Sequence, residues 1–316
     1  MGKNFTELAK MDADQAREYL ENLRWPTGTA CPHCGSVTVY TLKPKPKSNS
    51  PVRKGVYKCK DCRKQFTVTV GTLFEGSHIP LNKWLMAVSL ICSSKKGISA
   101  HQLHRMLGVT YKTAWFMAHR IRYAMQQPEL KAKFNGTVEV DETFVGGKPR
   151  KTQRELLLGK AVKRGRGTKK TPVVALVQRG GDVKSQVIDR VTTKNLKEFI
   201  YKNVDKGTMV TTDDFKSYRI LRKDFNHQSV RHTYGEYVRG NTHTNTIEGY
   251  FSILKRGING VFHHVSKKHL HRYLSEFDFR YNMRKQNDGV AAFMLLNGVE
   301  GKRLMYREPT PPEEAA

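Results

Sequence analysis

No run of apolar residues in this 316-residue sequence approaches the ~20 needed to cross a bilayer, so no membrane-spanning helix is expected. The opening segment, MGKNFTELAKMDADQAREYLENLRW, mixes both charges and has no apolar stretch, so no secretory signal is expected there either. Acidic residues are scarce: 28 Asp and Glu stand against 56 Lys and Arg, a net charge of +28. Cysteine is scarcer, with four residues in two close pairs and Cys92 alone. Without an export signal, close pairs point to metal binding rather than to disulfides, and the chain is expected to be cytoplasmic. Apolar residues make up 38%, below the globular average but ample for two or three compact units. No internal repeat is visible, and only EPTPPEEAA at the end reads as a disordered tail.

A charge excess of this size is a statement about partners, not about fold. Nucleic acid is the fitting polyanion, because cations that neutralise phosphates release counterions and gain sequence-independent affinity. Nucleic acid is therefore the expected partner, and the resemblance described below implies double-stranded DNA.

The texture of the chain changes four times. Residues 1–28 hold a short amphipathic helix over 12–24, ended by Trp25, Pro26 and Gly28. Residues 29–76 carry the cysteine pairs and a Lys-Pro-Ser-rich stretch, KPKPKSNSP. Residues 80–128 are helical in pattern, with breaks at Gly97 and at Gly108-Val109. From 134 to 286 the pattern is mixed α/β. TVEVDETFV, PVVALVQR, DVKSQVID, TMVTTD and HQSVRHT read as five strands, KNLKEFIYKNV as a helix, and a longer helix starts near Asn245. Residues 287–316 are read as a C-terminal tail.

Cys31-Pro-His-Cys34 and Cys59-Lys-Asp-Cys62 form two CxxC knuckles. Each tight turn supplies two thiolates, and two turns complete the tetrahedron zinc prefers. With strand-prone sequence after each, the pattern is a zinc ribbon with one structural Zn²⁺ on Cys31, Cys34, Cys59 and Cys62. His33 is a possible substitute ligand, although four cysteines already fill the shell. The alternative, two redox CxxC sites, lacks the strand-to-helix junction such motifs prefer. Cys92, within LMAVSLICSS, reads as a small buried hydrophobe.

ISAHQLHRMLGVTYKTAWFMAHRIRYAM has the layout of a helix-turn-helix. The first helix, Ser99 to Leu107, ends at Gly108, which tolerates the positive φ of a tight turn. Thr110 or Tyr111 opens a second helix carrying Lys112, Arg120 and Arg122. Leu103, Leu107, Val109, Ala114, Ala118 and Ile121 recur at helical spacing as its core. Such a unit can lay its second helix in the major groove.

Three acids stand out by position. Asp141 falls within TVEVDETFV, Asp213 ends TMVTTD, and Glu248 lies in the first turns of the helix HTNTIEGYFSILKR. Acids at strand ends and a helix start can converge, and hard divalent cations compensate carboxylates gathered in an apolar setting. Two Mg²⁺ ions ~3.5–4 Å apart would clamp the attacking and leaving oxygens of an in-line displacement at phosphorus. Asp141 is the expected bridging ligand, with Asp213 and Glu248 completing the separate shells; Mn²⁺ can substitute. Glu142 should face away from Asp141, because successive strand side chains alternate. Glu139 shares the Asp141 face and is a weaker rival, and Asp214 reads as a turn residue or helix cap. Lys255, two helical turns after Glu248, lies on the same face and could hold a phosphate.

These residues, with CPHCGS, YKCKDCRKQFTVTVGTLFEGSHIPLNKW, VEVDETFVGGK, TTDDFKSY, HTNTIEGYFSILKRGINGVFHHVSKKHL and FRYNMR, resemble the DDE transposases of bacterial insertion sequences, in the ISXO-like subgroup with an N-terminal zinc ribbon. The resemblance runs from about residue 5 to 286. It implies a multidomain α/β protein: zinc ribbon, helix-turn-helix-like unit, and an RNase H-like catalytic domain with a five-stranded mixed sheet flanked by helices. It implies that the catalytic positions fall on Asp141, Asp213 and Glu248, with Lys255 as an additional signature. Binding of an element's terminal inverted repeats, Mg²⁺-dependent end cleavage and strand transfer are the activity it implies, carried out by a homo-oligomer on DNA. A nuclease of the same fold without strand transfer, and a zinc-ribbon and helix-turn-helix DNA-binding regulator, are the alternatives.

Residues 148–170 hold ten lysines and arginines, with Glu155 the lone acid. Between the first two strands, this run is expected to clamp DNA phosphates at the rim of the site. His243, Asn245 and residues 263–273 are further candidate contacts, with Leu270, Tyr273, Leu274 and Phe277 read instead as core at helical spacing.

Overall fold

The computed structural model describes residues 2–43, 54–126, 133–147, 159, 168, 170–231, 236 and 238–305. Nearly all of the Lys-Pro-Ser stretch and of the basic run 148–170, the end of HQSVRHT and the EPTPPEEAA tail lie outside the described residues. The chain divides into two compact units: Met1–Met125 with Gln286–Ala316, and Gln126–Lys285.

The first unit opens with α1 (Phe5–Ala9) and α2 (Ala13–Arg24), each started by a capping box, Asn4 with Glu7 and Asp12 with Gln15. Three short antiparallel strands follow, β1 (Val39–Thr41), β2 (Tyr57–Cys59) and β3 (Gln65–Phe66). Trp25, Tyr57 and Phe66 pack their rings together beside Cys31 and Cys59. The central helix α3 (Leu81–Ser93) buries Trp84, Leu85, Val88, Ile91 and Cys92. The small-hydrophobe reading of Cys92 fits that placement.

The helix-turn-helix is α4 (Ala100–Leu107) and α5 (Tyr111–Ala124). Ser99 caps the first and Thr110 the second, and Gly108 closes α4 in the left-handed region at φ 58°. Leu103, Leu107, Ala114, Ala118 and Ile121 are buried as expected, while Val109 is half-buried. Two cations behave differently from expectation. Arg120 is 4% exposed and Arg122 2%, so neither offers charge to a partner. The buried stripe of α5 includes Met117, Ala118, Ala124 and Met125, and positions 120 and 122 lie three or four residues from these, inside the packed face. The Arg120 guanidinium lies over Trp84 and Phe116 and donates to the Glu75 carbonyl. Lys112 remains exposed.

Residues 287–316, expected as a tail, instead begin with a helix, Asp288–Asn297. Asn287 caps it, and its apolar side packs against α2 and α3 of the same unit. At its start Gly289 meets Gly2 so closely that a Cβ on Gly2 would lie 2.1 Å from the Gly289 carbonyl oxygen. Any side chain there would push the two segments apart.

The second unit is built on a five-stranded mixed sheet, and the five strand-like runs of the sequence supply its strands. These are β4 (Thr137–Val145), β5 (Thr171–Gln178), β6 (Val183–Val187), β7 (Met209–Asp213) and β8 (Asn226–Val230), in the order β6-β5-β4-β7-β8. β4, β5 and β6 run antiparallel, and β7 and β8 add in parallel to β4. On one face Val138, Val140, Val174 and Leu176 pack with Leu196, Phe199 and Ile200 of α6 (Thr193–Asn203). On the other, Val173, Ala175 and Val177 pack with Ile247, Tyr250, Phe251 and Leu254 of α7 (Asn245–Gly257), and with Leu270, Leu274 and Phe277 of α8 (Leu270–Asn282). Both faces are covered, which is why β5 is a continuous apolar run rather than an alternating one. The result is the RNase H-like arrangement of sheet and flanking helices.

Candidate functional site

Each cysteine knuckle repeats one local geometry. Cys31 N–H donates to Ser36 and Cys59 N–H to Lys64, both to carbonyls five residues on. The residue after the second cysteine is left-handed in both, Gly35 at φ 76° and Arg63 at φ 59°. The two hairpin-like turns bring all four Sγ atoms within 4.8 Å of one another. Cys31 and Cys62 Sγ stand 3.6 Å apart and Cys34 and Cys59 Sγ 3.7 Å. Zn–S bonds of ~2.3 Å in a tetrahedron require sulfur–sulfur edges of about 3.8 Å, so the cluster has zinc dimensions. The crowded sulfurs split the protons between them: the Cys59 thiol is lowered to about 7, first by the backbone N–H of Cys62, while, against the Ser36 backbone N–H, the neighbouring sulfurs push the Cys34 thiol up to about 12. His33 is outside the sulfur cluster, its ring turned edge-on towards Phe66. Four cysteines leave no open position, the mark of a structural ion.

The acids of the second unit are arranged by the sheet register. β4 and β7 pair in parallel with Thr137 opposite Met209 and Glu139 opposite Thr211, an offset of 72. The ladder ends there; two residues further along both strands, at the same offset (213 − 141 = 72), Asp213 is near enough to Asp141 for its charge to raise that carboxyl. That face is the one α7 crosses, as Ala175, opposite Asp141 on β5, packs in its cluster. Helix α7 buries Ile247, Tyr250, Phe251 and Leu254 against the sheet. Its exposed flank turns Glu248 and Lys255 into a cleft of about 730 Å³, together with Arg256 and Asn259. Asp141 and Glu142 form the opposite wall. Thus Asp141, Glu248 and Lys255 share one cleft; Asp213 is not among its lining residues but stands next to Asp141.

The acids crowd one another electrostatically. Burial pushes the Asp141 carboxyl up to about 8, and the charges of Glu142, Asp213 and Glu248 push the same way. Its Oδ1 accepts the Glu142 backbone N–H at 2.7 Å, which offsets part of this. Carboxyl groups crowded in this way fit hard divalent cations. Among the described residues, only the four cysteines bring three or more ligand atoms within 4.8 Å of one another, so the acids are spread more widely. Their carboxylate oxygens are the donors a hard divalent cation prefers.

The neighbouring acids take distinct places. Glu142 accepts the Tyr218 hydroxyl at 2.7 Å, on the face of the α6 cluster, yet still borders the cleft. Alternation holds along the strand, but the side chain is long enough to reach the strand-end opening. Asp213 closes its own turn by accepting the Phe215 N–H at 3.1 Å, the role the sequence reading gave to Asp214. Glu139 is fully buried and does not line the cleft; it receives donors from the start of α7. The Thr244 hydroxyl donates to Glu248 Oε1 at 2.8 Å. Thr244, Tyr218 and Arg256 were not singled out from the sequence. Arg256, eight residues after Glu248, was visible in the helical period, whereas the other two depend on contacts between separate elements.

Comparisons with known proteins complete the description. Residues 133–282 match the family model of the ISXO2-like transposase domain, and residues 11–65 that of the transposase zinc-ribbon domain. Over 280 residues the chain is 31% identical to an uncharacterised protein in transposable element ISH50 of Halobacterium salinarum, covering 84% of this chain and 90% of that protein. A transposase-like protein of Haemophilus influenzae is 28% identical over 97 residues, 30% of this chain and 77% of the other. A chain of a pre-cleavage Mos1 transpososome overlaps 95% of this chain and 94% of its own, at 11% identity and a TM-score of 0.29.

Proposed function

The chain belongs to the ISXO2-like DDE transposase family, and from that premise we propose that it cuts the ends of its own mobile element and joins the freed 3′-hydroxyls to target DNA. The observation that carries this reading is that Asp141 lies within charge range of Asp213 and Glu248 and shares one cleft with Glu248 and Lys255.

Asp141, Asp213 and Glu248 are the residues that would hold two Mg²⁺ ions. Such ions lower the pKa of a nucleophilic water or hydroxyl and neutralise the departing oxyanion. The rest falls to the protein. Lys255 and Arg256, both exposed on the cleft wall, bind phosphate oxygens and hold the scissile strand across the acids. Thr244 orients Glu248 through its hydroxyl. The apolar underside of α7 keeps the helix flat on the sheet, so the acids hold their spacing while DNA enters and leaves.

The four-cysteine ribbon holds one Zn²⁺ as a structural centre. The outer side of the helix-turn-helix, with His101, Gln102, Arg105, Tyr111 and Lys112 exposed, reads the element ends. Double-stranded DNA is the substrate, and joining two ends calls for a homo-oligomer on DNA.

The test uses purified full-length protein, Mg²⁺ and duplexes carrying the inverted repeats that flank its gene. Wild type should nick these ends and join pre-cleaved ends to a target plasmid, and Asp141→Asn should do neither. Asp141→Asn cleaving at the wild-type rate would remove the assignment; cleavage without joined products would leave a nuclease.

A further inference from the structure

Glu139 is an unusual residue to find at the centre of a sheet. Its side chain is 0% exposed, in the second unit's β4, on the same face as Asp141 and about 7 Å before it along the strand. A carboxylate there is tolerable only with strong partners. Oε2 accepts the backbone N–H groups of Thr246 at 2.9 Å and Ile247 at 3.0 Å. Oε1 accepts the Thr246 hydroxyl at 2.9 Å and Arg179 Nε at 2.7 Å.

Three of these donors belong to the first turn of α7, and the fourth, Arg179, directly follows β5. The residue at the helix start, Thr244, makes no side-chain cap bond, because its hydroxyl is committed to Glu248. The cap comes instead from a carboxylate 107 residues away in sequence. Arg179 extends the clamp by donating to the carbonyls of Asn241 at 2.6 Å and His243 at 3.0 Å, which lead into the helix. The negative charge also meets the positive end of the helix dipole. Glu248 is the residue immediately after Ile247. A short rigid chain therefore links two of the acids: Asp141, two strand residues, the Glu139 carboxylate, the Thr246 and Ile247 amides, Glu248.

We propose that Glu139 is a positioning residue that fixes Glu248, and with it one of the two divalent-ion sites, relative to Asp141. The proposal rests on the catalytic reading above, but it concerns the scaffold under the acids and has its own readouts. Groups that orient metal ligands without touching the metal typically change affinity or activity by about 10- to 100-fold when removed.

The variants are Glu139→Gln, which keeps the size but loses the charge and one acceptor oxygen, and Thr246→Val, which removes a single donor and keeps the fold if the first does not. Ile200→Val, on the opposite face of the sheet, is the control for a general loss of stability. Mn²⁺ alone is titrated into each protein and followed by the loss of its free-ion paramagnetic signal. Hydrogen exchange reads the Thr246 and Ile247 amides, and the Mg²⁺ midpoint is taken from end cleavage. Glu139→Gln should raise both metal midpoints about 10-fold or more, speed exchange at the two amides, and regain cleavage at high Mg²⁺. Thr246→Val should move the same quantities by roughly threefold, and Ile200→Val should lower the melting temperature alone. Variants that melt earlier but keep wild-type metal midpoints would reduce Glu139 to a plain helix cap and overturn the proposal. If Mn²⁺ affinity falls as expected while wild type cleaves no end DNA, the positioning stands and the catalytic reading fails.

Discussion

Replacing Asp141 by Asn should stabilise the magnesium-free protein at pH 8 while abolishing its reaction. The Asp141 carboxyl is raised from 3.8 to about 8 by burial and by the charges of Glu142, Asp213 and Glu248. An acid raised in the folded state is destabilising wherever the unfolded chain has ionised and the folded one resists. Below about pH 4 both states hold the proton and nothing is lost. Between about 4 and 8 the unfolded state releases it first, and stability falls as pH rises; above 8 the loss is complete. Four units at about 1.36 kcal/mol each give a ceiling of about 5–6 kcal/mol. Water at the cleft mouth and relaxation of Glu248 should leave about 2–4 kcal/mol. Asn keeps the shape and can still accept the Glu142 N–H, but it never carries the charge. For a unit of this size that is roughly 5–10 °C in melting temperature. The assay is scanning calorimetry in magnesium-free buffer without chelator, so that the ribbon keeps its zinc. The variant should melt higher at pH 8, the gap should shrink towards pH 4.5, and added Mg²⁺ should raise the wild type more than the variant. A variant that melts lower than wild type at pH 8 without Mg²⁺ would refute the crowding argument.

The left-handed Arg63 in the second knuckle should make Arg63→Gly stabilising by about 1 kcal/mol, seen as tighter zinc retention against a chelator, since its counterpart is already Gly35. Cys59→Ser should release the metal and broaden the amide spectrum of the ribbon; retained stoichiometric zinc would contradict the four-sulfur site. Arg120→Ala should cost about 2–4 kcal/mol, because it unpairs the Glu75 carbonyl and leaves a cavity beside Trp84. It should leave the salt dependence of DNA binding unchanged, whereas Lys112→Ala should lower that slope by about 0.9. Lys255→Ala should reduce end cleavage about 10- to 100-fold with normal melting, and Lys255→Arg should recover part of it.

Much of the architecture was legible because its signals are short-ranged. CxxC turns specify their own geometry, so the zinc cluster could be placed from spacing alone. Gly108 and Thr110 mark a helix end and a helix start by local chemistry, and the structure uses both. The strands of the second unit were visible as period-two or continuous apolar runs. The helix Asp288–Asn297 stands where a tail is expected: Asn287 caps it, but what holds it is packing on α2 and α3, which a local pattern does not reveal.

By itself, then, the sequence determined the four clustered cysteines, the five strands of the second unit, the basic character and the three acids worth following. Only the tertiary structure decided that Asp213 stands beside Asp141, since strand order and register depend on which edges pair and not on either strand alone. Only it turned Arg120 and Arg122 from candidate DNA contacts into buried side chains, because burial is set by what packs over a helix. And only it assigned Glu139 to the start of α7, where a carboxylate and two amides distant in sequence satisfy each other once the sheet and helix have met.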